Sequence, residues 1–215
     1  MATITFITSS ASWTFSHPSG SGSVTMACWG AGGHGNSTGN GGSGGAYAVT
    51  TVSNLPTGSY FVNVGKATAN GGGSSFVTSS AGVVLARAPG GNKDGTVTNQ
   101  SALLTGSVVA SVGGKGSPDF VGYSSYNGSG GGGAGGGDGQ SAFYSTRDVG
   151  AAGGVSTVGG NGGVGAFYYA GSGVDQIMSA SSGAFPGGGG GGSYDYGRNT
   201  SGNGGDGQVV ITYAT

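Results

Sequence analysis

The residues able to do covalent or proton-transfer chemistry are few in this chain, and their spacing matches no working constellation. There are two histidines. His17 precedes a proline in a turn-like stretch and His34 lies inside a glycine tract; neither has a patterned partner, and zinc-type ligand spacing is absent. All seven acidic residues are aspartates. Asp94-Gly95, Asp138-Gly139 and Asp206-Gly207 read as turn chemistry rather than as paired carboxylates for acid–base work. Cys28 is the single cysteine, so no intrachain disulfide can form; in the apolar run "VTMACWG" it reads as a small buried hydrophobe. The stretch "VVASVGGKGS" approaches a phosphate loop, but Val109 stands where that loop needs its first glycine. Matches to G-x-G-x-x-G follow from composition alone, and no G-x-S-x-G elbow supports a nucleophilic serine. The expectation is a protein that is not an enzyme, with no catalytic residue, no metal site and no cofactor.

Recognition chemistry is better represented. Glycine tracts are interrupted by "SPDFVGYSSYN", "QSAFYSTRDV", "AFYYAGSGVDQIMSASSGAFP" and "SYDYGRNTS". These carry Phe120, Tyr123 and Tyr126, then Phe143 and Tyr144, then Phe167 to Tyr169 with Phe185, then Tyr194 and Tyr196. Arg147 and Arg198 sit beside two of the groups. Tyrosine and arginine dominate binding hot spots, and Tyr-Ser-Gly-Asn loops are the vocabulary of antibody paratopes. Tyr144, Arg147, Tyr168, Tyr169, Phe185, Tyr194, Tyr196 and Arg198 are therefore the candidate binding residues. A second role is open to the same aromatics: covering the ends of a glycine-rich core with apolar area, at about 25 cal/mol per Å².

The elements that would position these residues are unusual. Glycine supplies 56 of the 215 residues, while charged residues are 6% and the formal net charge is −1. That balance excludes a basic nucleic-acid binder and an acidic tail. A hydrophobic fraction of 34%, with ten Tyr, eight Phe and two Trp, argues against disorder of the whole chain. No run reaches transmembrane length, so no membrane insertion is expected. The start "MATITFITSSASWTF" lacks the basic and long apolar regions of a signal peptide, so synthesis in a cytoplasm is expected.

The ends of the chain read as β. "ATITFIT" alternates with period two, and "SWTFSHPSGSGSVTMACWG" reads as two short strands around a turn at Pro18 to Gly22. A turn at Leu55 to Gly58 separates "YAVTTV" from "SYFVNVG", and "GQVVITYAT" closes the chain as a strand able to pair with the first. Helical periodicity is nearly absent, and glycine disfavours each helical position by about 1 kcal/mol. "VTMACWGAGG", "VVLARAPGGN" and "SVVASVGGKG" share one design, a short apolar run flowing into glycine. These features divide the chain into an N-terminal β region with a first glycine helix (1–65), a glycine-rich bundle with aromatic loops (66–207) and a returning strand (208–215), all one compact unit.

Within the tracts glycine recurs every third residue, at Gly30, Gly33, Gly39, Gly42 and Gly45 and again at Gly159, Gly162 and Gly165. Period three is that of an extended left-handed helix with no internal hydrogen bonds. Its backbone groups must find partners laterally, and glycine lets neighbouring backbones approach. These glycines are the expected contact edge of a packed bundle. Asn36 breaks the period, which leaves "HGNST" either a bend or part of a continuous helix.

The segments "VTMACWGAGGHGNSTGNGGSGGAYAVTTV", "GSYFVNVGKATANGGGSSFV" and "GNGGDGQVVITY" resemble the glycine-rich domains of phage tail-fibre and receptor-binding proteins. The architecture is also similar to the glycine-rich region of anaplastic lymphoma kinase-type receptors. The resemblance implies an all-β, partly irregular fold with almost no α-helix: a jelly-roll-like scaffold from the N-terminal strands and the C-terminal strand, with an inserted bundle of polyglycine II helices. It further implies a non-enzymatic viral attachment protein on the virion surface, a phage spike or fibre-tip adhesin. The expected partners are a host surface receptor, protein or glycan, and other virion proteins, with a homotrimer as one possible assembly. The alternative is a structural capsid decoration or minor coat protein without receptor binding.

Overall fold

The computed structural model of the chain describes residues 1–7, 12–16, 22–93, 95, 107–111, 114, 116, 120–121, 126–128, 135, 152–170, 175–193 and 200–213. Its regular elements are all strands, and their pairings are antiparallel. The alternation in "SVTMACW" shows why. In β3 (Ser23–Trp29), Val24, Met26 and Cys28 are fully buried, while Thr25, Ala27 and Trp29 stand on the other face. A period of two puts every second side chain on one side of a pleated strand.

Around β3 lies a five-stranded sheet. Its order is β1 (Ala2–Phe6), β15 (Gln208–Tyr213), β3, β4 (Tyr47–Ser53) and β10 (Ser107–Ser111). The closing strand thus sits between the first and third, with Ile4 opposite Ile211 and Ile211 opposite Met26. A four-stranded sheet is built in the order β2 (Ser12–Ser16), β5 (Ser59–Asn63), β8 (Ser75–Ser79) and β9 (Val84–Ala88). The two sheets pack face to face. Val24, Met26, Cys28, Val209 and Ile211 from the first share one core with Tyr60, Val62, Val77, Leu85 and Ala86 from the second.

The strands that flank each of the two turns read from the sequence are not partners. β2 and β3 belong to different sheets, and so do β4 and β5. The turn at Leu55 to Gly58 therefore crosses the sandwich, with Leu55 buried. The reason is edge occupancy: β4 already pairs with β3 on one side and β10 on the other, so β5 has no place beside it.

Two described tracts, 30–35 from β3 and 89–92 from β9, continue directly from strands. Their amides are satisfied laterally, and the partners rotate. Gly30 N donates to Ala46 O, Ala31 N to Gly73 O and Gly32 N to Gly205 O. Gly33 N then returns to the first neighbour, at Ser43 O, and Gly35 N to the third, at Gly202 O. In 42–46 the same rule holds: Gly42 and Gly45 donate to Gly190 and Gly187, while Ser43 and Ala46 donate to Asn92 and Pro89. A backbone that faces the same neighbour every third residue has three edges.

The opening tract is not one continuous run. Asn36 N donates to Asn40 O, and Asn36 Oδ1 accepts from Thr38 N, Thr38 Oγ1 and Asn40 N. This Asn-centred turn reverses the chain. Gly39 lies in it with φ 100, a conformation open to glycine at little steric expense. Segment 40–46 then returns antiparallel beside 30–36.

Close packing explains the glycine count edge by edge. A β-carbon on Gly30 or Gly33 would stand 1.9 or 2.2 Å from the carbonyl oxygens of Pro89 and Asn92. One on Gly32 or Gly35 would stand 2.0 or 1.9 Å from those of Gly188 and Gly191. Ala31 and His34 occupy the remaining edge. The run Gly187 to Gly192 is buried throughout, and all of its edges face backbone. Gly187 and Gly190 meet Gly30 and Gly202, Gly188 and Gly191 meet Asn161 and Val164, and Gly189 and Gly192 meet Gly42 and Gly39. Continuous glycine marks a segment that meets backbone on every edge, whereas the third edge of 30–35 carries side chains, Ala31 being fully buried there.

Candidate recognition surface

Segments 160–166 and 180–186 run antiparallel, joined by Ser181 N to Val164 O at 2.9 Å and Ala184 N to Asn161 O at 2.8 Å. They lead into β13 (Phe167–Ala170) and β14 (Asp175–Met178), which pair from Phe167↔Met178 to Ala170↔Asp175. β12 (Tyr126–Gly128) and β11 (Phe120–Val121) complete a four-stranded sheet in the order β11-β12-β13-β14. An aromatic-bearing sheet thus grows out of paired glycine-rich segments.

Its register brings together residues far apart in sequence. Phe120, Gly128, Phe167 and Met178 form one cross-strand row. Tyr126, Tyr169 and Gln176 form another, two positions on and so on the same face of the pleat. Tyr168 shares the intervening row with Asn127 and Ile177, on the opposite face. Tyr168 and Tyr169, adjacent in sequence, therefore serve different faces.

Phe185 is elsewhere. Gly160 N donates to Pro186 O, which levels Phe185 with the start of the 160–166 segment. Along the chain this level is nine residues before Tyr169. Phe185 is 49% exposed, and the neighbouring segments expose Val155, Val158 and Val164 as well. Tyr144, Arg147, Tyr194, Tyr196 and Arg198 lie outside the described residues, as do Tyr123 and Phe143.

Of the glycines expected as a contact edge, Gly39 lies in the Asn36-centred turn, while Gly30 and Gly33 meet the backbone of Pro89 and Asn92. Gly42 and Gly45 approach the carbonyls of Gly33 and Gly30, and Gly159 that of Gly135. Gly162 carries the carbonyl that a β-carbon on Gly153 would strike at 1.9 Å, and Gly165 is buried. The additional edge through Gly32, Gly35, Gly188 and Gly191 was not anticipated. Its signal was available as glycine at two positions in three.

Two further features were missed. Trp29 Nε1 donates to Val158 O at 2.8 Å, and its ring meets Tyr47 at 4.8 Å between centroids, tilted by 41°. This ties the end of β3 to segment 152–166. The second is an open groove of about 580 Å³ beside Asn63, Lys66, Phe76 and Arg87. The outward positions of "YFVNV", "SSFVT" and "VLARA" signalled it, since period two alternates them with buried residues.

Few titratable groups are perturbed. Burial pushes the Cys28 thiol up to about 12, which keeps it protonated and unreactive. Burial, then the neighbouring Cys28, raises Tyr47, and burial raises Tyr60, whose hydroxyl donates to Pro56 O. Among the described residues no three His, Cys, Asp or Glu side chains come together as a metal site would need.

The face-to-face sheets, with glycine tracts extending them mainly through backbone hydrogen bonds, define a glycine-rich all-β class of protein. The chain belongs to the glycine-rich domain family, whose model matches residues 8–214. A comparison with curated proteins finds no match.

Proposed function

We propose that this chain is a non-enzymatic receptor-binding protein of a virus particle, a phage spike or fibre-tip adhesin. In this reading the glycine tracts are polyglycine II helices inserted into a jelly-roll-like scaffold. They hold aromatic residues against a host surface protein or glycan. Other virion proteins anchor the chain at the particle surface, with a homotrimer as the assembly to test.

The reading rests on one observation: the sheet carrying Phe120, Tyr126, Tyr168 and Tyr169 extends from segments whose order comes from main-chain bonds. Stiffness in the backbone leaves side chains beyond the tracts free to vary without loss of the core. Rigid tyrosines supply large contact area at low conformational-entropy cost.

Purified protein is expected to bind host cells and to block infection by the particle. Changing both Tyr168 and Tyr169 to Ala should weaken binding at least tenfold, the loss of about 1.4 kcal/mol, with the fold retained by circular dichroism. Unchanged binding by the folded variant removes these residues from the site. Failure of the native protein to bind cells, with many copies per particle, replaces the proposal with a structural coat component.

A further inference from the structure

The outer face of the second sheet carries a cross-strand row, Asn63 opposite Phe76 and Phe76 opposite Arg87. Their neighbours Val62, Val77 and Ala86 are fully buried in the core, so the row faces away from it. A short hairpin, β6 (Ala67–Thr68) paired with β7 (Gly71–Gly72), rises beside this row. The groove between them, about 580 Å³, is also bounded by Ser74 and Asn92. That volume suits a small-molecule ligand.

Arg87 is the unusual member. It is half-buried, its Nη2 reaches Ser74 Oγ at 3.4 Å, and its Nε is buried with no hydrogen-bond partner. Lys66 stands exposed at the rim. Among the described residues neither cation has a carboxylate partner. Asp206, the acid whose side chain is described, instead accepts Ala67 N on its Oδ1 at 2.8 Å. A partly desolvated guanidinium with no counter-charge among the described residues favours an anion, and its planar fork matches a carboxylate. The rest of the lining is neutral: the amides of Asn63, Asn70 and Asn92, the hydroxyls of Thr68 and Ser74, and the half-exposed ring of Phe76. Amides and hydroxyls suit a polyhydroxyl ring, and an aromatic face suits its C–H edge.

We propose that this groove binds an acidic saccharide, with the sugar carboxylate on Arg87 and Lys66 and the ring against Phe76. The site uses none of the residues of the β11–β14 sheet, so it stands or falls separately from the attachment reading.

The test presents the full chain with oligosaccharides bearing uronic or nonulosonic acids, printed beside their carboxyl-reduced counterparts. Retention of acidic members, with loss of at least about tenfold on carboxyl reduction, is expected. Arg87→Gln should lower affinity by about the same factor, and Arg87→Lys should restore part of it. Should Arg87→Gln not fold, Lys66→Gln, at an exposed position, is expected to weaken the same acidic members. Equal retention of the reduced sugars, retention of none, or unchanged affinity in either folded Gln variant overturns the proposal.

Discussion

Gly45→Ala puts the close-packed tracts to a direct test. A β-carbon there would lie 2.0 Å from Gly30 O and 2.8 Å from Ala31 O. Both are backbone atoms, so no side chain can swing aside. Restoring an ordinary contact of about 3.4 Å requires the two segments to separate by about 1.4 Å. The bonds that join them, Gly30 N to Ala46 O at 2.9 Å and Gly33 N to Ser43 O at 2.8 Å, do not survive that displacement. Losing two buried backbone bonds should destabilise the protein by about 2–6 kcal/mol. Against a typical total of roughly 5–15 kcal/mol, this is a large fraction of the fold.

Two other glycines separate the possible causes. Gly58 has open space and no left-handed φ, so Gly58→Ala should be neutral or stabilising by about 0.4–1 kcal/mol through the unfolded chain. Gly82 also has open space but φ +79, so Gly82→Ala should lose about 1–2 kcal/mol to backbone strain alone. Denaturant unfolding followed by tryptophan fluorescence would rank the three. A Gly45→Ala protein within about 1 kcal/mol of the parent, or no worse than Gly82→Ala, would refute the packing argument.

Alkaline pH should expose Cys28. Its thiol is held near 12 in the fold against an ordinary 9.0, so the folded state keeps a proton that the unfolded chain releases. That contribution is whole below pH 9 and is lost as pH rises towards 12, at up to about 1.4 kcal/mol per unit. Urea midpoints measured from pH 8 upward should fall more steeply for the parent than for Cys28→Ala; parallel curves would contradict the burial argument. Trp29→Phe removes the indole N–H donated to Val158 O and should lower stability by about 1 kcal/mol. Proteolysis of segment 152–166 should also quicken in that variant, and an unchanged cleavage rate would show that the contact does not tether it.

Side-chain alternation was legible in advance because it is local. "SVTMACW" and "QVVITY" carry their buried faces in their own period, and the first and last strands do pair. The glycine repeat likewise marked tracts that need close neighbours. Partner choice was not legible. β4 and β5 read as consecutive strands, yet β10 takes the edge that β5 would need. The aromatic groups were visible as types, but only pairing sets Tyr126 opposite Tyr169 and removes Phe185 to another level.

By itself the sequence determined an all-β chain, its buried strand faces, and glycine tracts too regular for a linker. Tertiary structure alone decided which segment lies against each tract edge, where the first tract reverses, and that Asn63, Phe76 and Arg87 line one groove. The physical reason is the reach of the hydrogen bonds. A strand's in–out pattern is written within a few residues, whereas the amides of Gly30, Ala31 and Gly32 find partners on three separate segments, at Ala46, Gly73 and Gly205. No local window contains those partners.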